Sequence, residues 1–174
     1  MKRQLNLPFA ALLALAMTPW TCPAQSSTDT TPQPIGIYDS RAIAVAYAGS
    51  AFQQKKMTEL KEQHRQAKDS KNTREVARLA SLGKDWQAAL HRQGFGTAPV
   101  DDLLQHIAGE IPGIQKAAGV TNLVSKWNQP ELDRFKDARR IDVTMPLVDA
   151  FQPNATQRQR AIEIQSKPPV KTRD

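Results

Sequence analysis

QQKKMTELKEQHRQAKDSKNTREVARLASLGKDWQAALHR, residues 53–92, holds ten Lys/Arg against five Asp/Glu. Beyond residue 24, the rest of the chain carries twelve of each and balances to zero. The excess charge therefore sits on one stretch. Within it, Met57, Leu60, His64 and Ala67 are spaced 3, 4, 3, and Val76, Leu79, Gly83, Trp86 and Leu90 are spaced 3, 4, 3, 4. That spacing is a narrow coiled-coil seam. Between the seams, Lys68-Asp69-Ser70-Lys71-Asn72 reads as a turn. Asn72 is placed to cap the second helix, with Glu75 three residues on as in a capping box. The seams mirror each other about the turn: His64 is expected opposite Val76, Leu60 opposite Leu79, Met57 opposite Gly83, and Phe52 near Trp86. The spacing predicts an antiparallel αα-hairpin over 53–92, each arm of about 20 residues reaching on the order of 30 Å.

Working outward, the first 24 residues read as a signal peptide. Lys2 and Arg3 precede an apolar run from Leu7 to Met17, and Thr21-Cys22-Pro23-Ala24 ends in small residues. The run is too short for the roughly 20 residues of a spanning helix. Cleavage after Ala24 would take the formal charge from +7 to +5 and remove Cys22, the one cysteine. An exported chain without thiols has no disulfide, Cys metal site or Cys nucleophile, which fits a bacterial periplasm.

Residues 25–34 are rich in Ser, Thr, Pro and Gln and read as a disordered leader. Ile35 to Asp39 reads as a short strand, with Asp39 or Ser40 capping a helix that continues from Arg41 through Ala42, Val45, Ala46, Gly49 and Phe52. Gly94 to Pro99 breaks the helical pattern. A helix is expected from about Val100 to Ala118, with Pro112 kinking it or starting a new turn and Gly119 closing it. Val120 to Trp127 reads as a strand, Gln129 to Arg140 as a loop or short helix, and Ile141 to Val143 as a strand end. Thr144 is expected to cap a helix with Leu147, Val148 and Phe151 on its buried side. Asn154 or Thr156 caps another, ending near Gln165. Residues 166–174 form a Pro/Lys tail, expected to be disordered. The fold class expected is α+β, mainly α: a discontinuous head, 35–52 and 100–165, with a basic hairpin inserted between its parts. Its strands are too few and too short to form a stable sheet alone.

Several stretches of this head resemble a known family. The Ile35-to-Phe52 opening, Leu103-Leu104-Gln105-His106-Ile107, Ile114 to Val120, Leu123-Val124, and Asp142-Val143-Thr144 followed by Leu147 to Phe151 are similar, in that order, to elements of the Skp (OmpH-type) periplasmic chaperones. The resemblance covers most of residues 35–151. It implies a homotrimer whose strands share a barrel-like head and whose hairpins project around a cavity that holds unfolded outer-membrane proteins without ATP. By position it assigns Ile35, Ile37, Leu123, Val124, Ile141 and Val143 to the head. It assigns Lys55, Lys56, Lys61, Arg65, Lys68, Lys71, Arg74, Arg78 and Lys84 to the client-binding arms. The chain departs from the family in two ways. Its hairpin is shorter than the usual tentacle, and Gly94 to Pro99 interrupts the passage into the closing helix.

Other functional classes find less support. His64, His91 and His106 have no zinc-like spacing, and no H-E-x-x-H or G-x-S-x-G occurs. Gly94-Phe95-Gly96 lacks the third glycine of a phosphate loop, and Asp101 and Asp102 read as helix-start residues rather than an acid/base pair. No cofactor, metal or catalytic group is expected. Export argues against nucleic acid as the partner. The expected partners are unfolded envelope proteins, or an anionic membrane or lipopolysaccharide surface. The rival reading is a non-catalytic envelope adaptor whose hairpin docks on one partner.

Overall fold

The computed structural model describes residues 32–170. The expected signal peptide and most of the expected leader lie outside them, as do residues 171–174. The described chain is mainly helical, with eight α-helices, a 3₁₀ turn and three short strands. Strand β1 (Ile35–Tyr38) leads into α1 (Ser40–Tyr47), α2 (Ala51–Asp69) and α3 (Thr73–Phe95). Helix α4 (Asp101–Leu104), the 3₁₀ turn Gln105–Ile107 and α5 (Ile111–Ala118) precede β2 (Asn122–Ser125). Then come α6 (Gln129–Arg134), β3 (Arg140–Asp142), α7 (Thr144–Ala150) and α8 (Ala155–Gln165).

The strands form one parallel sheet in the order β2-β1-β3. Ile35 pairs with Asn122 on one side and Arg140 on the other, and Ile37 with Val124 and Asp142. Within one chain the strands pair with one another, β1 being hydrogen-bonded along both edges. Alternation assigns the two faces. Ile35 and Val124 pack with Leu132 of α6, while Tyr38 joins the main core of α1, α4 and α7. Gly36 permits the close packing of that second face. A Cβ there would lie 2.9 Å from Leu123 and 3.0 Å from Val143.

Small residues let α1 sit at the centre of this core. Ala42, Ala44 and Ala46 are all buried, beside Ile43 and Tyr47. Helices α3, α7 and α8 pack on it. Asp39 caps α1 by accepting from the Arg41 N–H at 3.0 Å. The helix expected to run through Phe52 stops instead at Tyr47, and Ser50 caps a new one by accepting from Gln53 N–H. Phe52 turns back to the core, 5.2 Å from the His106 ring and 6.3 Å from Phe151, rather than to Trp86.

Helices α2 and α3 are joined by Ser70-Lys71-Asn72 and pack on each other. Asn72 caps α3 as expected by accepting from Glu75 N–H. Every seam position from Met57 to Leu90 is buried or half-buried. Leu60 meets Gly83, one turn along from the expected Leu79.

Three further expectations are corrected. The helix over 100–118 is broken at Ala108–Glu110; Pro112 takes the second of its two expected roles, in the first turn of α5, where its missing N–H costs nothing. Thr144 does not cap α7; it is the first helical residue, and its hydroxyl accepts from the Asp39 backbone N–H at 3.0 Å. The tail expected to be disordered is tied down as far as Val170: Lys167 accepts from Arg41 through its carbonyl, and the Val170 N–H donates to the Phe95 carbonyl at 2.8 Å. Gly119 (φ +65°) closes α5 and Asn154 caps α8, both as expected.

Candidate binding surface

The nine basic residues singled out in the sequence all belong to α2, α3 and their connection. Lys55, Lys56, Lys61, Arg65 and Lys68 lie on α2, Lys71 in the turn, and Arg74, Arg78 and Lys84 on α3; all are exposed. Three have specific partners. Arg65 bridges Glu62 at 2.7 Å and Asp69 at 3.6 Å, and Arg78 bridges Glu75 at 2.6 Å, each within one turn of its own helix. The Arg65 hydrogen bonds hold the Glu62 carboxyl below its ordinary range, and Arg78 does the same for Glu75. Lys56 Nζ sits 5.1 Å from the centroid of the Trp86 ring, a cation–π contact across the pair. Lys55, Lys61, Lys68, Lys71, Arg74 and Lys84 form no ion pair among the described residues. Exposed pairs of this kind contribute little to stability, so the surplus charge is available to a partner.

Apolar surface lies beside that charge. Leu60, Leu82 and Trp86 line a groove of about 380 Å³ together with Lys56 and Glu59. Leu82 is 49 % exposed, unusual for a leucine midway along a helix that packs on another. The helices carry too little apolar area to close over it, because their seams are one residue wide at each turn. The arrangement offers a shallow apolar strip on the pair of helices that carries the surplus cations. It holds no paired acid and base and no nucleophile with a base in reach.

A second polar assembly sits at the carboxyl ends of the strands. Asp39 follows β1, Lys126 follows β2, and Thr144 follows β3. Asp39 is 1 % exposed and Arg41 is fully buried. The Arg41 guanidinium donates to both Asp39 oxygens, at 3.1 and 2.8 Å. Lys126 Nζ lies 2.7 Å from Asp39 Oδ2, and Trp127 Nε1 donates to Oδ1 at 3.1 Å. Arg41 and Lys126 each also lie 4.8 Å from the centroid of the Trp127 ring. Burial by itself raises the Asp39 carboxyl, but the hydrogen bonds from Arg41, Lys126 and Trp127 outweigh it and hold the group below its usual range. Every lone pair of this carboxylate is engaged. It binds three segments of the chain together and has no capacity left for a substrate.

Local pattern identifies Asp39 as a cap but does not single out Arg41, Lys126 or Trp127. A signal was present, since Asp39 and Arg41 are the only charges in the apolar run from Ile35 to Phe52. A charge in such a run is buried with its partner. The histidines lie apart: His64 on α2, His91 beside Phe95, and His106 stacked 5.1 Å from Tyr47. Asp101 and Asp102 are in the first turn of α4, where Asp102 accepts from Gln93 at 2.8 Å. Among the described residues no three His, Asp or Glu gather as a metal site, and no helix is long and apolar enough to cross a membrane. Comparison with family models, with curated proteins and with solved structures gave no match.

Proposed function

We propose that this protein is an ATP-independent holdase of the periplasm, a non-catalytic binder of unfolded envelope proteins, and that α2 and α3 form its arm. The observation that carries the reading is the pairing of surplus exposed cations with an accessible apolar strip on one pair of helices. Cations attract acidic stretches of a client at a distance, with a reach of about 8 Å at physiological salt. Leu60, Leu82 and Trp86 then give weak, sequence-tolerant apolar contact. In this reading three copies gather their arms on one client, so that weak contacts sum to useful retention.

A second reading is favoured by one observation. Strand β1 is already paired on both sides within one chain, so nothing in the sheet calls for other copies. A single arm would suit an adaptor that docks on one envelope partner or on an anionic lipid surface.

One experiment separates these. Dilution of several unrelated unfolded outer-membrane proteins from denaturant is followed by light scattering, with and without this protein. The holdase reading expects suppression for all of them, weakening as salt is raised. It also expects the Lys55, Lys61, Lys68 and Lys84→Glu variant to lose most of the effect while keeping its helical circular dichroism. Suppression of one client alone would support the adaptor, and suppression of none would defeat the holdase.

A further inference from the structure

A crevice of about 500 Å³ opens beside β2. Leu123, Val124 and Ser125, three consecutive strand residues, all line it. Successive side chains of a strand point to opposite faces, so a crevice that meets all three runs along the strand's edge. β2 is an outer strand, and its only neighbour in the sheet is β1. An outer strand presents backbone donors and acceptors with no strand to take them.

The chemistry of the crevice is one-sided. Asp101 and Glu131 stand in its lining. Glu131 is partly compensated by Arg134 at 3.1 Å, whereas Asp101 forms no ion pair among the described residues. Tyr38 also lines the crevice, at 5 % exposure, and its hydroxyl has no hydrogen-bond partner among the described residues. Burial first, and then the Asp101 charge, push this phenol up to about 12. It stays protonated at any physiological pH, and a protonated phenol can still accept a hydrogen bond through its oxygen.

We propose that the β2 edge receives an extended polypeptide segment as an added strand, with a Lys or Arg of that segment set between Asp101 and the Tyr38 hydroxyl. Main-chain hydrogen bonds to β2 would supply affinity, and the carboxylate and phenol would supply the preference for a cation. This surface is separate from the α2–α3 strip and of opposite charge, so the proposal does not rest on the holdase reading.

The test uses three peptides of about six residues, a length that covers β2. One alternates valine and lysine, one alternates valine and glutamate, and one repeats the first with alternate backbone nitrogens methylated. Binding is read from amide chemical shifts of the isotope-labelled protein. The valine–lysine peptide is expected to shift the amides of Leu123 to Ser125, and to bind at least about tenfold tighter than the other two, some 1.4 kcal/mol. Asp101→Asn and Tyr38→Phe should each weaken it several-fold without altering the remaining spectrum. Equal binding of the methylated peptide overturns strand addition, and equal binding of the glutamate peptide overturns the cation site. Shifts confined to α2 and α3, or none at millimolar peptide, overturn both.

Discussion

Asp39 is the residue on which most of this fold converges. Its backbone N–H donates to the Thr144 hydroxyl, its carboxylate caps α1, and the same carboxylate holds Arg41, Lys126 and Trp127. Removing one member of a buried pair leaves the other charge without compensation, at a cost of about 3–5 kcal/mol. Asp39→Asn should therefore destabilise the protein by about that amount in denaturant unfolding, because the Arg41 guanidinium has no water to turn to. The pH dependence has a definite sign. The Asp39 carboxyl is held below its ordinary value in the folded state. Its contribution is then complete above the unfolded value of about 3.9 and is lost as pH falls through the lower, folded one. The gap in unfolding midpoint between the native protein and Asp39→Asn should stay constant from neutrality to about pH 5 and narrow below about pH 4. A gap that persists unchanged into stronger acid would mean that the variant suffers from lost packing and not from lost charge. At this scale the sequence showed the charges but not their partners. Lys126 and Thr144 reach Asp39 only because three strand ends meet, and no local pattern records that meeting.

At the scale of elements, the seams of α2 and α3 were legible because each needs only its own spacing. The caps at Asn72 and Asn154 were legible for the same reason, since a cap and the N–H it serves lie within one turn. The break between α1 and α2 was not. Ser50 caps α2 at this break, but Ala48-Gly49-Ser50 can also be read as a helical run, and Gly49 has in addition a neighbour distant in sequence. A Cβ at Gly49 would overlap the Gln157 side chain of α8. That side chain is committed, because its oxygen accepts from the Asn154 N–H at 3.1 Å and completes the capping box of α8. Gly49→Ala should thus displace Gln157 and cost about 1 kcal/mol through a cap elsewhere in the chain. On a Gln157→Ala background, where that half of the box is already gone, the same substitution should cost close to nothing. The double-mutant cycle checks this directly, since neighbours that share one interaction do not add. Additive costs would show instead that Gly49 is needed for its own backbone at the helix junction.

For the whole molecule, the class of fold was readable and the pairing of its sheet was not. Short apolar runs at Ile35, Leu123 and Ile141 identify three strands, but which strand lies in the middle is decided by contacts some 85 to 105 residues apart. Placing β1 there changes the expected energetics. The sheet and the core around α1 are both complete within one chain, with Arg41, Tyr47, Phe151, Leu147 and Val148 almost wholly buried. If the chain folds without partners, its stability does not follow mass action. The midpoint of thermal unfolding should therefore be unchanged over about a hundredfold range of protein concentration. An obligate trimer would instead gain stability with every increase in concentration, because its folded state is favoured by association. Light scattering on a sizing column gives the other half of the result. A trimer whose midpoint ignores concentration would mean copies that fold first and then gather their arms, as the holdase reading asks. A monomer with the same flat midpoint would leave α2 and α3 as a single docking arm. A midpoint that climbs with concentration would defeat the self-sufficient sheet itself, and with it the outer β2 edge on which strand addition depends.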